Sequence, residues 1–182
     1  RRGAAGVHTC IGRAWAKAVT TPLRYWKKQS VEGGNRTPRM VHWPAGLKAE
    51  AGSIERSVGH VMDIAPTCLD LARVEPSGEL LMDGKSLVPL LQGLSRSVHK
   101  SLFFEHEGGR AVRQGVWKLS ALRGQPWELF RIVEDPGEAA NLADKHPDRV
   151  QILDAAWQGW YDTMPVPDSA RIKPRTTPVR GH

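Results

Sequence analysis

Lys27 and Lys28 precede Glu32-Gly33-Gly34-Asn35-Arg36-Thr37-Pro38, with three cations against one acid between residues 27 and 38. A glycine-rich turn that carries ammonium and guanidinium groups can hold an anion by charge and by backbone N–H groups. The Gly33-Gly34 pair permits φ > 0 and a close backbone approach that a Cβ resists. Pro38 fixes its own φ and biases Thr37 toward extended backbone, so a strand through Val41 is expected, stopped by Pro44 and Gly46. The same residues also fit an ordinary surface turn with solvated lysines. Two further spots invite a chemical reading. Glu105-His106-Glu107 places two carboxylates around an imidazole, but calcium needs several more oxygens than this. His60 stands alone ahead of a helix, where a histidine is usually structural.

The elements around these residues can be read from period and punctuation. The basic turn lies between a stretch broken by Gly3, Gly6 and Gly12 and a connection from Ala45 to Ser53. Trp15 and Trp26 flank Thr20-Thr21-Pro22 and read as core aromatics against a sheet. Asp63 and Pro66 open a helix, with Ile64, Cys68, Leu71 and Ala72 on one apolar face. Residues 76–84 form a loop, and Ser86 to Leu91 a short apolar turn. From Ser101 the period becomes that of strands: 102–106, 111–113, 116–122 and 127–132. Gly108-Gly109, Gln114-Gly115 and Arg123-Gly124 mark the turns of this antiparallel meander. A last helix starts at Pro147-Asp148 and carries Val150, Leu153, Trp157 and Trp160 toward the sheet. The Pro- and Arg-rich tail from residue 166 is expected to be disordered.

Several of these pieces, taken in order, resemble the sulfatase family of arylsulfatase type, within the alkaline phosphatase-like superfamily. They are Pro22-Leu23-Arg24-Tyr25-Trp26-Lys27, Glu32 to Pro38, His42-Trp43-Pro44, Asp63-Ile64-Ala65-Pro66-Thr67 and Gly84 to Leu91. Phe103 to Gly108, Ala111 to Leu119, Trp127 to Phe130 and Asn141-Leu142-Ala143 follow. The resemblance implies an α/β fold: the end of a large alkaline-phosphatase-like α/β domain, then a small antiparallel sheet covered by a C-terminal helix. Residues 1–95 would belong to the catalytic domain and 96–165 to the small subdomain, with 166–182 as the tail. Lys27, five positions before Glu32, matches the lysine that binds the sulfate group in the family; Lys28 does not. Glu32, Gly33, Gly34, Arg36 and Pro38 then form a structural loop, with Glu32 and Arg36 as an ion pair or a backbone clamp. His106 either lines the rim of the substrate pocket or is a solvated strand end. The sequence departs from the family's pattern at Val116, Phe130 and Arg131, and Arg39 interrupts an otherwise apolar strand.

The resemblance also implies groups that these residues do not carry. The family's nucleophile is a formylglycine made from a Cys/Ser-x-Pro-x-Arg motif, and neither Cys10 nor Cys68 opens one. Its calcium is held by acidic residues upstream, whereas no acid precedes Glu32. The chain is therefore expected to be the C-terminal portion of a sulfuric ester hydrolase, inactive alone, with calcium and formylglycine supplied upstream. The substrate would be a small-molecule or carbohydrate sulfate ester, and the parent protein periplasmic or secreted. A phosphate or phosphonate ester hydrolase of the same superfamily is the alternative enzyme. A non-catalytic basic module for sulfated glycans or nucleic acid is the alternative binder.

Composition bounds these readings. The chain has 182 residues, a net charge of +7 and 40% hydrophobic residues, and no apolar run approaches the length of a membrane span. Residues 1–48 hold ten Lys/Arg against one acid, and the remainder is slightly acidic. That asymmetry alone admits a nucleic-acid partner, but no helix-turn-helix, zinc-finger or RNA-binding pattern accompanies it, so none is expected. Two cysteines do not make a disulfide framework; a Cys10–Cys68 pair and free thiols both stay open.

Overall fold

The computed structural model describes residues 11–50, 52–76, 78, 81–96 and 99–165. The tail from residue 166 and Cys10 lie outside the described residues, so the expected disorder and the cysteine pairing are not addressed. The chain forms two compact units, one from residues 1–37 with 101–182, the other from residues 38–100. Residues 11–37 thus go with the small sheet, not with the residues up to 95.

The first unit is built on a meander of β1 (Leu102–His106), β2 (Gly109–Gln114), β3 (Trp117–Ala121) and β4 (Glu128–Arg131). All neighbours are antiparallel in the order β1-β2-β3-β4. The predicted turns hold with the first shifted by one residue: Glu107-Gly108, not Gly108-Gly109, joins β1 to β2 with both residues at positive φ, and Gly115 and Gly124 are left-handed in the next two connections. Helix α5 (Pro147–Asp162) covers one face. Leu153 and Trp157 are buried against Val112, Leu119 and Leu129, with Val150, Trp160 and Tyr161 around them. The Trp157 indole N–H donates to the Phe104 carbonyl at 3.1 Å, which fixes the helix over β1.

Leu153 is fully buried in this cluster. Leu153→Ala is therefore expected to lower stability by about 2–5 kcal/mol, since the neighbouring rings can only partly collapse into the space. The check is the urea midpoint at unchanged m-value; a shift worth less than about 0.5 kcal/mol would mean α5 is not docked as described.

Strand alternation sends Lys118 and Ser120 of β3 to the opposite face, beside Ala111 and Arg113 of β2 and Glu128 and Phe130 of β4. The expected cover for this sheet was the C-terminal helix. This second face is also covered, by residues 24–32, and Ala111, Lys118, Ser120 and Phe130 are all buried. Ahead of that segment, helix α1 (Gly12–Thr20) was not expected. Alanines at 14, 16 and 18 favour helix strongly enough to outweigh the nearby glycines, and Pro22 bars its continuation. Trp15 was expected in a core, yet it is 63% exposed, and no residue of α1 is buried.

The second unit contains a 3₁₀ turn (Val61–Asp63), α3 (Ile64–Ala72) and α4 (Val88–Leu91). The expected strand through Val41 is absent: residues 36–43 form no ladder with any described residue. A strand exists only with a partner, and Thr37-Pro38 sets extended backbone without supplying one. The predicted apolar face of α3 is also uncovered. Ile64, Cys68, Leu71 and Ala72 are exposed, and Thr67 is its buried residue. Cys68 is exposed and has no disulfide partner among the described residues.

The unit is held instead by a buried carboxylate. Asp63 Oδ1 accepts from the Lys85 N–H at 2.9 Å and meets His99 Nε2 at 2.7 Å. Its Oδ2 accepts from the His60 N–H at 2.8 Å and Arg96 at 3.1 Å. Burial pushes this carboxyl up, but the two N–H donors and His99 outweigh it and hold the group below the usual range. His60 caps the 3₁₀ turn through Nδ1, the structural role expected of it.

Candidate anion-binding site

The glycine pair does what its sequence allows, by one of the two expected routes. Glu32–Asn35 form a single helical turn, α2, closed by Arg36 N–H to the Glu32 carbonyl at 2.8 Å. Neither glycine needs positive φ. What they supply is closeness, because residues 24–30 fold directly over them. A Cβ on Gly33 would lie 2.3 Å from the Arg24 carbonyl oxygen, and one on Gly34 would lie 1.9 Å from that of Gln29. Gly33 N–H donates to the Arg24 carbonyl at 3.1 Å, and the Asn35 amide donates to the Ser30 carbonyl at 3.0 Å.

Lys27 lies in this covering segment, exposed, with no hydrogen-bond or ion-pair partner among the described residues. Lys28 differs. It sits at φ +81° and its ammonium is 3.2 Å from Glu107 Oε1, at the β1–β2 turn. His106 is exposed beside the same carboxylate, its Nε2 at 3.9 Å. Among the described residues the two lysines thus differ in geometry: Lys28 is paired with Glu107, and Lys27 has no such partner. No hydrogen bond or ion pair joins Lys27 to His106.

The expected Glu32–Arg36 ion pair is not formed. Glu32 is buried and pairs with the Lys118 ammonium at 2.8 Å, while Arg36 is exposed. Reaching the sheet interior suits a short acidic stem at the first turn of α2; Arg36, past its end, points to solvent. Pro38 is exposed and opens the second unit. At the near end of the loop, Arg24 pairs with Glu128, donates to the Glu138 carbonyl at 3.3 Å and lies 5.4 Å over the Phe130 ring. Burial lowers the Arg24 guanidinium, but its bond and charge contact with Glu128 more than offset this and raise it. Lys118, Glu138 and Glu128 are the residues of this region that the sequence reading did not single out.

Three His, Cys, Asp or Glu side chains close enough to hold a metal ion do not occur among the described residues. The donor set for calcium is therefore not provided by them, and no helix among them is long and apolar enough to cross a membrane.

The family model for the C-terminal part of N-sulphoglucosamine sulphohydrolase matches residues 23–157. The chain belongs to the sulfatase family. An uncharacterized sulfatase of Schizosaccharomyces pombe is 34% identical over 161 residues, covering 80% of this chain and 28% of that protein. Steryl-sulfatase of Mus musculus is 40% identical over 186 residues, covering 84% and 29%. Human arylsulfatase A is 30% identical over 148 residues, covering 66% and 28%. Among solved structures, Ps i-CgsB superposes with a TM-score of 0.67 at 25% identity over 77% of this chain and 32% of its own. This sulfatase chain spans less than a third of the length of these relatives. The match supports the expected α/β class, and the expected small antiparallel sheet with its C-terminal helix is present as β1–β4 and α5.

Proposed function

We propose that this chain is the C-terminal portion of a sulfuric ester hydrolase and that Lys27 is its contribution to the reacting centre. The observation that carries the reading is an exposed ammonium without a partner among the described residues, on a loop tied at both ends, within a segment matched by a sulfatase family model. A sulfate ester's negative charge shifts onto the bridging oxygen as the S–O bond breaks. A fixed ammonium close to that oxygen stabilises the charge. Lysine suits the task as a compact point charge on a long stem. The formylglycine nucleophile and the calcium ion belong to sequence upstream of these residues, with the parent protein periplasmic or secreted.

The substrate class that fits best is a sulfated carbohydrate or other small sulfate ester. Relatives include N-acetylgalactosamine-6-sulfatase of Sus scrofa, 36% identical over 131 residues. Phosphate or phosphonate ester hydrolysis and a purely binding role are not favoured, since the curated relatives are sulfatases. His106 stays a candidate for the pocket rim.

The direct test is turnover of a chromogenic aryl sulfate by the 182-residue chain with calcium, alone and then joined to the upstream part of a sulfatase. No turnover is expected from the chain alone, for want of a nucleophile and metal ligands. Activity should appear in the joined protein and depend on Lys27. Hydrolysis by the isolated chain, or joined activity indifferent to Lys27, would overturn the reading.

A further inference from the structure

The sheet face opposite α5 carries an ion cluster that the proposed reaction does not use. The Lys118 ammonium lies 2.8 Å from Glu32 Oε1 and 3.3 Å from Glu138 Oε1, and the three side chains are 1%, 5% and 0% exposed. Ser120 Oγ approaches Glu138 Oε1 at 3.5 Å. Buried ion pairs contribute little net stability over well-packed apolar side chains, because desolvation offsets most of the attraction. What they add is direction. This cluster joins three segments far apart in sequence: α2, β3 and the turn that ends at Glu138.

Both ends of the Lys27 loop are tied to it. At one end the Arg24 guanidinium donates to the Glu138 carbonyl, and the Arg24 carbonyl accepts from Gly33. At the other end, the Gln29 carbonyl lies against the bare Cα of Gly34. The turn that receives both is pinned by Glu32, whose N–H donates to Glu138 Oε2 at 2.9 Å. Glu138 itself is held at φ +52°, a conformation costly for a residue with a Cβ. We infer that Lys118 and Glu138 are positioning residues for Lys27: with Glu32 they form a buried clasp that sets where the basic loop holds its ammonium. The inference rests on the proposed function for what Lys27 does, and on the geometry alone for where it is held.

The clasp has a pH dependence. Burial, foremost, pushes the Glu138 carboxyl up, against Lys118 and the Glu32 N–H, and the Glu32 carboxylate acts in the same direction as burial. Lys118 faces it from β3 and Glu32 from α2. Arg24 faces it from the loop, itself neutralised by Glu128 of β4. A carboxyl raised in the folded state favours folding while protonated, and that contribution is lost as pH rises through the raised value. The turn at Glu32-Gly33 should therefore loosen as Glu138 ionises.

Amide hydrogen exchange, read by NMR on the 182-residue chain, tests this. In Lys118→Met the Gly33 and Gly34 amides are expected to exchange at least ten-fold faster, while those of Val112 and Leu129 keep their protection. In the native chain the Gly33 rate should rise with pH beyond the intrinsic slope of exchange. Glu138→Gln, which keeps an acceptor without the charge, should abolish that extra rise. Unchanged loop amides, or loop and sheet amides accelerating together, would overturn the inference. If Lys118→Met does not fold, the pH step and its loss in Glu138→Gln decide alone. The aryl sulfate assay on the joined protein separates the two readings. A clasp that behaves as described, with joined turnover indifferent to Lys27→Ala, would remove the role proposed for Lys27 and leave its positioning intact.

Discussion

Lys27→Ala, in an enzyme carrying residues 11–165 behind the family's nucleophile and metal ligands, is expected to lose about 10²–10³-fold in turnover, the scale of removing one fixed donor to developing charge. The effect should divide unevenly. The ground-state sulfate ester already carries a negative charge, so some loss falls on KM. The larger share falls on kcat, because charge reaches the bridging oxygen only as the bond breaks. Lys28→Ala is the internal control. Its ammonium is held by Glu107 in an exposed pair, worth about 0–1 kcal/mol, and turnover should change little. Lys27→Arg should recover only part of the loss, since a planar fork cannot occupy the place of a point charge. Equal effects of the Lys27 and Lys28 substitutions on aryl sulfate turnover would mean that the loop contributes general positive potential and no positioned group.

Much of the first unit was legible because its signals are local. Glycines at 108, 115 and 124 mark turns whose positive φ they supply, and Leu153 and Trp157 recur at helical spacing against apolar strand positions. Lys118 was not legible. Trp117-Lys118-Leu119-Ser120-Ala121 alternates as a strand with one wet face does, and nothing local says that the polar face is buried. Its partners, Glu32 and Glu138, are distant in sequence, so the pairing is a tertiary fact. For the same reason Glu32 was matched to nearby Arg36 when its partner lies across the sheet. The apolar face of α3 shows the converse. Ile64, Cys68 and Leu71 have the right spacing, but periodicity states only which residues could be buried together, and no described element of this unit buries them. The likeness to sulfatases, not any local rule, is what separates Lys27 from Lys28 in the sequence, and Lys27→Ala against Lys28→Ala is the test of that separation.

Gly34→Ala should be nearly as damaging as loss of Lys27, although it removes no functional group. The added methyl would stand 1.9 Å from the Gln29 carbonyl oxygen and 3.0 Å from that of Trp26. Both obstacles are backbone, so no side chain can swing away. Nor can α2 retreat easily, for Gly34 N–H is bonded to the Val31 carbonyl at 2.9 Å and Val31 is fully buried. The loop between Trp26 and Gln29, which holds Lys27, must lift by about 1 Å to restore contact distance. A shift of that size can lower turnover by about 10²-fold when a positioned group is involved. The strain itself should cost about 1–3 kcal/mol of stability. Gly159→Ala supplies the comparison. That glycine lies in α5 with nothing within 4 Å of its missing Cβ, so alanine there should stabilise the chain by about 0.5–1 kcal/mol and leave turnover alone. Thermal melts and aryl sulfate kinetics on both variants separate loop displacement from loss of fold. If Gly34→Ala keeps full turnover, the close approach of the loop to the glycine pair does not set the position of Lys27, and the clasp beneath it would lose its purpose as well.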